Sequence, residues 1–400
     1  MDVTAKRTRM WAIRLGVAGG ALVLLIGAGF VGWRILKTHF QEQYYREGYE
    51  PLKVVADHVG HYPAEFHLHN VPWISTRESY CQANSLAMVA AQHGIETSTE
   101  HCSFLMGFTY GATTVPGNVG VNPYSDPERG FAVAAPYLGL VRRYYVTDDE
   151  ALYLDALRYV LSQGYAVRVA LDASVLYDLD GELPHSDLLV GYDETGFSTY
   201  ESVCLPEFPC EPGHLPPGEE GLWVSDQTLL NAVLAQAMLF SYPWRYSLTI
   251  FEAAPRKEEL GAIWTRNADL LIGNAQYGPR QGADAIDELA TAIETRGVRV
   301  DVSEVTWGLE AAVYARRENA AYLQEVFGGQ ADVESAAALF DRAAEDYEAA
   351  LGEVNDGIAD QSEVDRIVTR IRDAAMAERE AGEILLARGQ KIGSEQGEMP

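Results

Sequence analysis

The chain has few basic residues. Its 400 residues include 30 Lys and Arg against 58 Asp and Glu, and the formal net charge is −28 at pH 7. Such a surface repels phosphate groups, so the composition argues against nucleic acid or anionic lipid as a partner of the soluble part. Apolar residues make up 48% of the chain. A sizeable core is therefore feasible, and the composition is not that of a disordered protein.

Cysteine is also scarce. Only Cys81, Cys102, Cys204 and Cys210 are present. The last two, in the segment CLPEFPC, either close a small disulfide loop or are two free thiols in a Pro-rich loop. A lone pair with this spacing does not predict a zinc site, and the histidines crowded between His58 and His69 lack the carboxylates or thiols that would complete one. The sequence thus predicts neither a metal nor a cofactor.

One long uncharged run is present, from Leu15 to Trp33. Its length matches the roughly 20 residues that a bilayer-spanning helix requires. Trp11 and Trp33 lie where an interfacial belt would be, and basic residues flank both ends. We therefore expect a cytoplasmic tail over 1–14, a transmembrane helix over 15–34, and soluble domains outside the cytoplasm. A cleaved signal peptide is the alternative, but no small-x-small cleavage site follows the run.

The remaining chain changes character twice. Residues 35–66 are polar, aromatic and irregular, which is typical of a stalk. Residues 67–255 begin with a helical pattern and continue with β-branched strands, an α+β arrangement. From 256 to 390 the strands disappear and amphipathic patterns predict a helical bundle, followed by a disordered tail over 391–400. The individual predictions are helices over Gln82–His93 and Ala151–Gln163, and strands over Tyr165–Leu171, Ser186–Asp193, Phe197–Val203 and Tyr246–Ala253.

Cys81 opens the first of these helices, in YCQANSLAMVAAQHG. A thiol at that position experiences the positive end of the helix dipole, which favours the thiolate. The unpaired backbone N–H groups there can also stabilise an oxyanion formed when the thiolate attacks a carbonyl. The alternative is that Cys81 is a small buried hydrophobe. Cys102, which precedes the apolar SFLMGF, is predicted to be a core residue.

The best candidate for a general base is His185, which enters a strand after the loop DLDGELP. Glu201 follows sixteen residues later, in the second strand of a predicted hairpin. If the strands pair, Glu201 approaches the far nitrogen of His185 and fixes its tautomer. Asp187 is the second choice, because a residue two positions away on the same strand face is too local to orient the ring well. Asp193 is assigned to the turn, and Asp226 to the N-cap of the next helix.

These segments resemble a known family. VPWISTRESYCQANSLAMVAAQHG is similar to the start of the bacteriocin-processing double-glycine peptidases and their papain-like relatives, and GYAVRVALDASVLYDL with HSDLLVGYD and YES is similar to their second half. Within that clan the chain looks more like the butirosin-biosynthesis acyltransferase type, in which a helical region follows. The resemblance implies a papain-like fold and a triad of Cys81, His185 and Glu201.

Three positions depart from the family pattern. Gln82 stands where a small residue usually follows the cysteine, and Glu201 replaces the usual Asp. The family's oxyanion Gln, about six residues before the cysteine, is replaced by the neighbourhood of Ser75 and Thr76. Gln82, Ser75 and Thr76 are therefore the candidate oxyanion donors.

Three functions remain open at this stage. The first is a membrane-anchored papain-like cysteine hydrolase, a peptidase or amidase that acts through a thioester on a peptide. The second is an acyltransferase that uses the same triad on an acyl-carrying substrate, with an amine as acceptor. The third is a non-catalytic module that binds a peptide or partner. We also expect the helical bundle to cover one end of the cleft and to narrow substrate choice.

Overall fold

The computed structural model describes residues 39, 42–56, 59–76, 80–114, 120–201, 221–273 and 281–397. The chain divides into two compact units, Met1–Glu50 and Pro51–Pro400. In the first, residues 42–49 form a helix, α1. The predicted transmembrane segment lies outside the described residues, as do Cys204 and Cys210. None of the described helices combines the length and apolar character that a membrane crossing requires.

The second unit is built on a mixed eight-stranded sheet. Its strands follow the order β1-β5-β10-β6-β7-β8-β9, with β2 paired to β7. The β1–β5 pair is parallel and the other pairs are antiparallel. The strand bounds are β1 Leu52–Lys53, β2 Phe66–His67, β5 Leu140–Thr147, β6 Val167–Asp172, β7 Pro184–Tyr192, β8 Gly196–Tyr200, β9 Leu222–Ser225 and β10 Tyr246–Ala253, with β3 Thr113–Thr114 and β4 Val121–Asn122 forming a separate ribbon.

The predicted hairpin is β7–β8. Asp193 serves its turn, because Oδ1 accepts hydrogen bonds from the backbone N–H groups of Thr195 at 2.6 Å and Gly196 at 2.9 Å. This confirms the role predicted for Asp193 and is the usual way in which an Asx turn closes. Tyr200 at the end of β8 pairs with Leu188, so the hairpin brings the end of β8 beside the middle of β7.

Residues 51–66, expected to be part of a stalk, instead contribute to the folded unit. Leu52 pairs with Tyr145 of β5, and Phe66 pairs with Tyr192 of β7. Two-residue strands carry no alternation that a sequence pattern could reveal. Their place is set by the long strands against which they pair.

In the sheet region the described residues form six α-helices: α2 Cys81–Gln92, α3 Thr99–Met106, α4 Pro127–Ala134, α5 Glu150–Ser162, α6 Ala173–Tyr177 and α7 Asp226–Leu239. Residues 81–90 of α2 are all buried, as expected of a helix with small or apolar residues on every side. The N-cap of α7 is Ser225, whose Oγ accepts from the backbone of Thr228. The prediction of Asp226 as that cap is wrong, because its carboxylate pairs with Arg158 at 2.7 Å.

The predicted C-terminal helical region is confirmed. Its helices are α8 Gly261–Ile272, α9 Gly282–Arg296, α10 Val302–Phe327, α11 Ala331–Asn355 and α12 Gln361–Gly397. The expected disordered tail is largely helical, since α12 continues to Gly397 and Ile392 packs against the core. The helical region shares a core with the sheet region: Phe104 of α3 stacks edge-on against Trp264 of α8, with ring centroids 5.0 Å apart. Both therefore lie in one compact unit.

Candidate active site

Cys81 is the first residue of α2 and its side chain is 7% exposed. The N-cap residue, Tyr80, makes no side-chain hydrogen bond to the helix, and the first turn contains no acidic residue. By contrast Ser98, Asp149 and Ser225 cap α3, α5 and α7 with side-chain oxygens. No N-cap side chain therefore competes for the first-turn N–H groups of α2, which carry the positive end of the helix dipole.

His185 is the second residue of β7 and is 4% exposed. Its Nε2 lies 2.8 Å from Oε1 of Glu201. The side chain of Cys81 lies near the ring, since it is one of the groups that raise the pKa of His185. Because Nε2 faces carboxylate, Nδ1 is the nitrogen available to the thiol. The structure thus brings together the three residues that the sequence analysis selected.

Glu201 directly follows β8. Continuing the register of Leu188 with Tyr200 places Glu201 opposite Asp187, on the face that carries His185. Its second carboxylate oxygen accepts a hydrogen bond of 2.6 Å from the hydroxyl of Tyr177, and its backbone carbonyl accepts one of 2.8 Å from the indole of Trp73. Both carboxylate oxygens are therefore held, and the longer Glu side chain reaches the imidazole.

Asp187 lies closer to the ring than the sequence suggested. Its Oδ1 is 3.2 Å from the same Nε2, and its Oδ2 accepts from Thr199 Oγ1 at 3.1 Å. The single hydrogen on Nε2 is directed to Glu201, so among the described residues Oδ1 of Asp187 has no hydrogen-bond partner with good geometry. Two buried carboxylates thus converge on one nitrogen.

This arrangement shifts the pKa values of His185 and Asp187. Burial disfavours the imidazolium of His185, but the negative charges of Glu201 and Cys81 and the contacts with Asp187 outweigh burial and hold the pKa of His185 well above its usual range. For Asp187, burial and then the charge of Glu201 raise the pKa to about 6. Cys102 lies in the core as predicted, and burial raises its pKa to about 12.

The same three side chains could in principle hold a metal ion. The ligand atoms of His185, Asp187 and Glu201 lie within 4.8 Å of one another, and no other such group is found among the described residues. Hydrogen bonding between imidazole and carboxylate accounts for the arrangement without a metal. The rings of His67 and His69 lie near each other, with centroids 5.2 Å apart, but within the described part of the chain they do not belong to a group of three possible ligands.

The candidate oxyanion donors differ in their surroundings. Gln82 is buried and its Oε1 accepts a 2.6 Å hydrogen bond from Arg168 of β6. The hydroxyl of Thr76 accepts one of 3.0 Å from Asn84 of α2, which places Thr76 beside the start of that helix. Ser75 is partly buried, and no described contact joins it to Cys81.

Several residues of the site were missed. Tyr177 and Trp73 hold Glu201 from positions that show no sequence signal. Arg168 did carry a signal, because a charged residue interrupts the apolar strand YAVRVAL.

Neither models of known protein families nor curated protein sequences match this chain.

Proposed function

We propose that the chain is a papain-like cysteine hydrolase, a peptidase or amidase, with Cys81 as nucleophile, His185 as base and acid, and Glu201 as the residue that orients His185. The single observation that carries this proposal is the buried cluster in which the Glu201 carboxylate lies 2.8 Å from Nε2 of His185 and the Cys81 side chain lies near enough to the same ring to raise its pKa. This is the order of roles that a nucleophile, a base and an orienting acid require.

In the first half of the reaction the Cys81 thiol transfers its proton to His185, and the sulfur attacks the substrate carbonyl. The carbon–sulfur bond forms while the carbonyl π bond opens, and backbone N–H groups at the start of α2 stabilise the oxyanion. When the oxyanion collapses, the bond to the leaving amine breaks. His185 donates its proton to that amine, leaving a thioester on Cys81.

In the second half His185 takes a proton from water, and the hydroxide attacks the thioester. The carbon–sulfur bond then breaks, the acid product leaves, and the proton returns to Cys81. Glu201 keeps the ring in one tautomer and stabilises the imidazolium in both halves. The raised pKa of His185 suits this role, because it reflects surroundings that stabilise the imidazolium formed in each half of the reaction.

The test is alkylation of the full chain with iodoacetamide at pH 7, with peptide mapping by mass spectrometry to separate the four cysteines. Cys102 is the internal control, because it is fully buried and its pKa is raised to about 12. We expect Cys81 to be alkylated at least tenfold faster than Cys102, and the substitution His185→Ala to abolish the difference. Equal, slow alkylation of both thiols would remove the basis of the proposal.

We also propose that residues 15–34 anchor the enzyme in a membrane. The full chain should then stay in the membrane pellet after alkaline carbonate extraction, whereas a chain that lacks residues 1–37 should be released. Release of both chains would argue against the anchor.

A further inference from the structure

Arg168 is a buried arginine at the centre of the sheet. It lies on β6, whose six residues are all buried, and it is 1% exposed. Its guanidinium donates to Ser186 Oγ at 2.8 Å and to Gln82 Oε1 at 2.6 Å, and forms an ion pair with Glu128. It also lies over the ring of Phe131, 4.9 Å from the centroid. All three nitrogens of the guanidinium are thus engaged.

Two of these partners are chain neighbours of the proposed catalytic residues. Gln82 follows Cys81, and Ser186 follows His185. Ser186 Oγ also lies 3.1 Å from Ser85 Oγ, and Ser85 donates a 2.8 Å hydrogen bond to the backbone carbonyl of Cys81. A single guanidinium therefore connects the first turn of α2 to the start of β7 by two routes.

Fold stability alone does not explain this arginine. Bringing a charge into the interior costs several kcal/mol, and well-packed apolar residues often stabilise a core as well as a buried ion pair does. Here the cost is offset by Glu128, whose other oxygen accepts from Arg142 at 2.9 Å. What an apolar side chain could not supply is a planar fork that holds Gln82 and Ser186 at once.

We propose that Arg168 is a positioning residue that fixes Cys81 relative to His185. The inference rests on the proposed function, since it concerns the geometry of the same thiol and imidazole. A misplacement of about 1 Å in such a pair can cost about a hundredfold in rate. Arg168 holds both elements from the interior of the sheet and does not itself touch the reacting atoms.

The decisive variant is Arg168→Lys in the full chain. A lysine keeps the positive charge beside Glu128, so it preserves the buried ion pair, but it cannot reach Gln82 and Ser186 in fork geometry. We expect the alkylation rate of Cys81 by iodoacetamide at pH 7 to fall at least tenfold, while the thermal midpoint changes by only a few degrees. The pH profile of that rate should also change, which a purely structural role would not cause.

The matched control is Arg316→Lys. Arg316 is 0% exposed and pairs with Glu378, and it donates to backbone carbonyls at Thr109 and Gly111, away from Cys81. It is a buried arginine with an equally complete set of partners. We expect this substitution to leave the alkylation rate of Cys81 within about twofold of the wild-type rate.

A second variant covers the case in which Arg168→Lys does not fold. The substitution Arg168→Met removes the fork, and Glu128 keeps its ion pair with Arg142 at 2.9 Å. It should fold and show the same loss of Cys81 reactivity. Gln82→Ala should cause part of the loss. Its effect should not add to that of Arg168→Lys, because both substitutions remove the hydrogen bond between Arg168 and Gln82.

The outcomes separate the inference from the proposed function. If Cys81 reacts fast in the wild type and equally fast in Arg168→Lys, the positioning role is wrong and the proposed function stands. If wild-type Cys81 reacts no faster than Cys102, the proposed function fails and the positioning role fails with it. Fast reaction in the wild type and in Arg316→Lys, with slow reaction in Arg168→Lys, supports both.

Discussion

Glu201 and Asp187 approach one imidazole nitrogen from two positions, yet their surroundings assign them different parts. Glu201 lies 2.8 Å from Nε2 and has its other oxygen held by Tyr177, whereas Asp187 lies 3.2 Å away with Oδ1 unpartnered among the described residues. Glu201 is thus the acceptor of the ring proton. Ionised Asp187 adds negative charge that favours the imidazolium. Burial and the charge of Glu201 disfavour the ionisation of Asp187 itself.

Replacing Glu201 with Gln should therefore slow the chemistry. The substitution removes the main negative charge that stabilises the imidazolium and allows the ring to adopt the wrong tautomer. By analogy with amide substitutions of triad acids, we expect a fall on the order of a hundredfold or more in the alkylation rate of Cys81 at pH 7. Glu182→Gln, at an exposed carboxylate three residues before His185, is the control and should change the rate less than twofold. An unchanged rate in Glu201→Gln would exclude its orienting role.

The raised pKa of Asp187 predicts that the stability of the protein depends on pH. Its pKa is raised from 3.8 to about 6 in the folded state, so the folded protein binds this proton more tightly than the unfolded chain does. That contribution to stability is fully present below about pH 4 and is lost as pH rises through about 6, a loss of up to about 3 kcal/mol.

The Asp187→Asn variant has no ionisable group at position 187, so it should lack this pH dependence. Between pH 4 and pH 8, its free energy of unfolding relative to that of the wild type should shift in its favour by about 2–3 kcal/mol. Denaturant unfolding of both proteins at the two pH values measures the shift. If the free energies of unfolding of the two proteins differ by the same amount at pH 4 and at pH 8, Asp187 is not the group that titrates.

Among the secondary-structure elements, long regular patterns were predictable. The helix that Cys81 opens, the helix over α5 and the strands β7, β8 and β10 were placed within a few residues, because each buries one face or is buried throughout. The positions of Cys81, His185 and Glu201 in these elements, together with the resemblance to papain-like peptidases, led to their choice as candidates. The sequence could not show that Asp187 would share the same nitrogen, because this depends on the register of β7 with β8.

Strand β5 was missed for a different reason. Its centre carries Arg142 and Arg143, which hide the alternation of LVRRYYVT. The side chain of Arg142 is nevertheless buried, because Glu128 on α4 neutralises it at 2.9 Å. A tertiary ion pair thus permits a charge that the sequence pattern excludes, and the same holds for Arg168 on β6.

The close packing around Gly196 leads to a prediction about the pairing of β8 with β9. An alanine Cβ there would lie 2.3 Å from the backbone carbonyl of Val224, so β8 and β9 could not keep their pairing. We expect Gly196→Ala to destabilise the protein by roughly 1–3 kcal/mol and to displace Glu201 at the far end of β8. Gly352→Ala in α11, where nothing lies within 4 Å, should instead stabilise by about 0.5–1 kcal/mol. Thermal unfolding of the two variants tests this, and equal effects would contradict it.

At the scale of the molecule, the sheet region and the helical region depend on each other. Phe104 packs against both Trp264 and Tyr322, with centroids 5.0 Å and 5.2 Å away, and Tyr110 packs against Phe340 at 5.7 Å. The helical region also reaches the site, since Tyr314 of α10 packs edge-on against Tyr80, which precedes Cys81, at 5.6 Å. The two regions were predicted as separate domains because their sequence patterns differ, and patterns do not report a shared core.

A chain that ends after Pro255 should therefore not fold. Removing α8 to α12 takes away the aromatic partners of Phe104 and Tyr110 and exposes both side chains, so we expect loss of cooperative thermal unfolding. A chain that lacks only residues 394–400 is the control and should unfold as the full chain does. Cooperative unfolding of the chain that ends after Pro255 would contradict the shared core.

The charge state of His185 tests the central claim most directly. Histidine-labelled NMR of the full chain, with the resonance assigned by a His185→Gln variant, can follow the ring between pH 5 and pH 9. The Cys81–His185–Glu201 arrangement predicts a ring that stays protonated well above pH 6.5, the usual midpoint for histidine, and one that loses this shift in Cys81→Ala and Glu201→Gln. A ring that titrates at or below 6.5, with the same midpoint in all three proteins, would contradict the arrangement and the chemistry built on it.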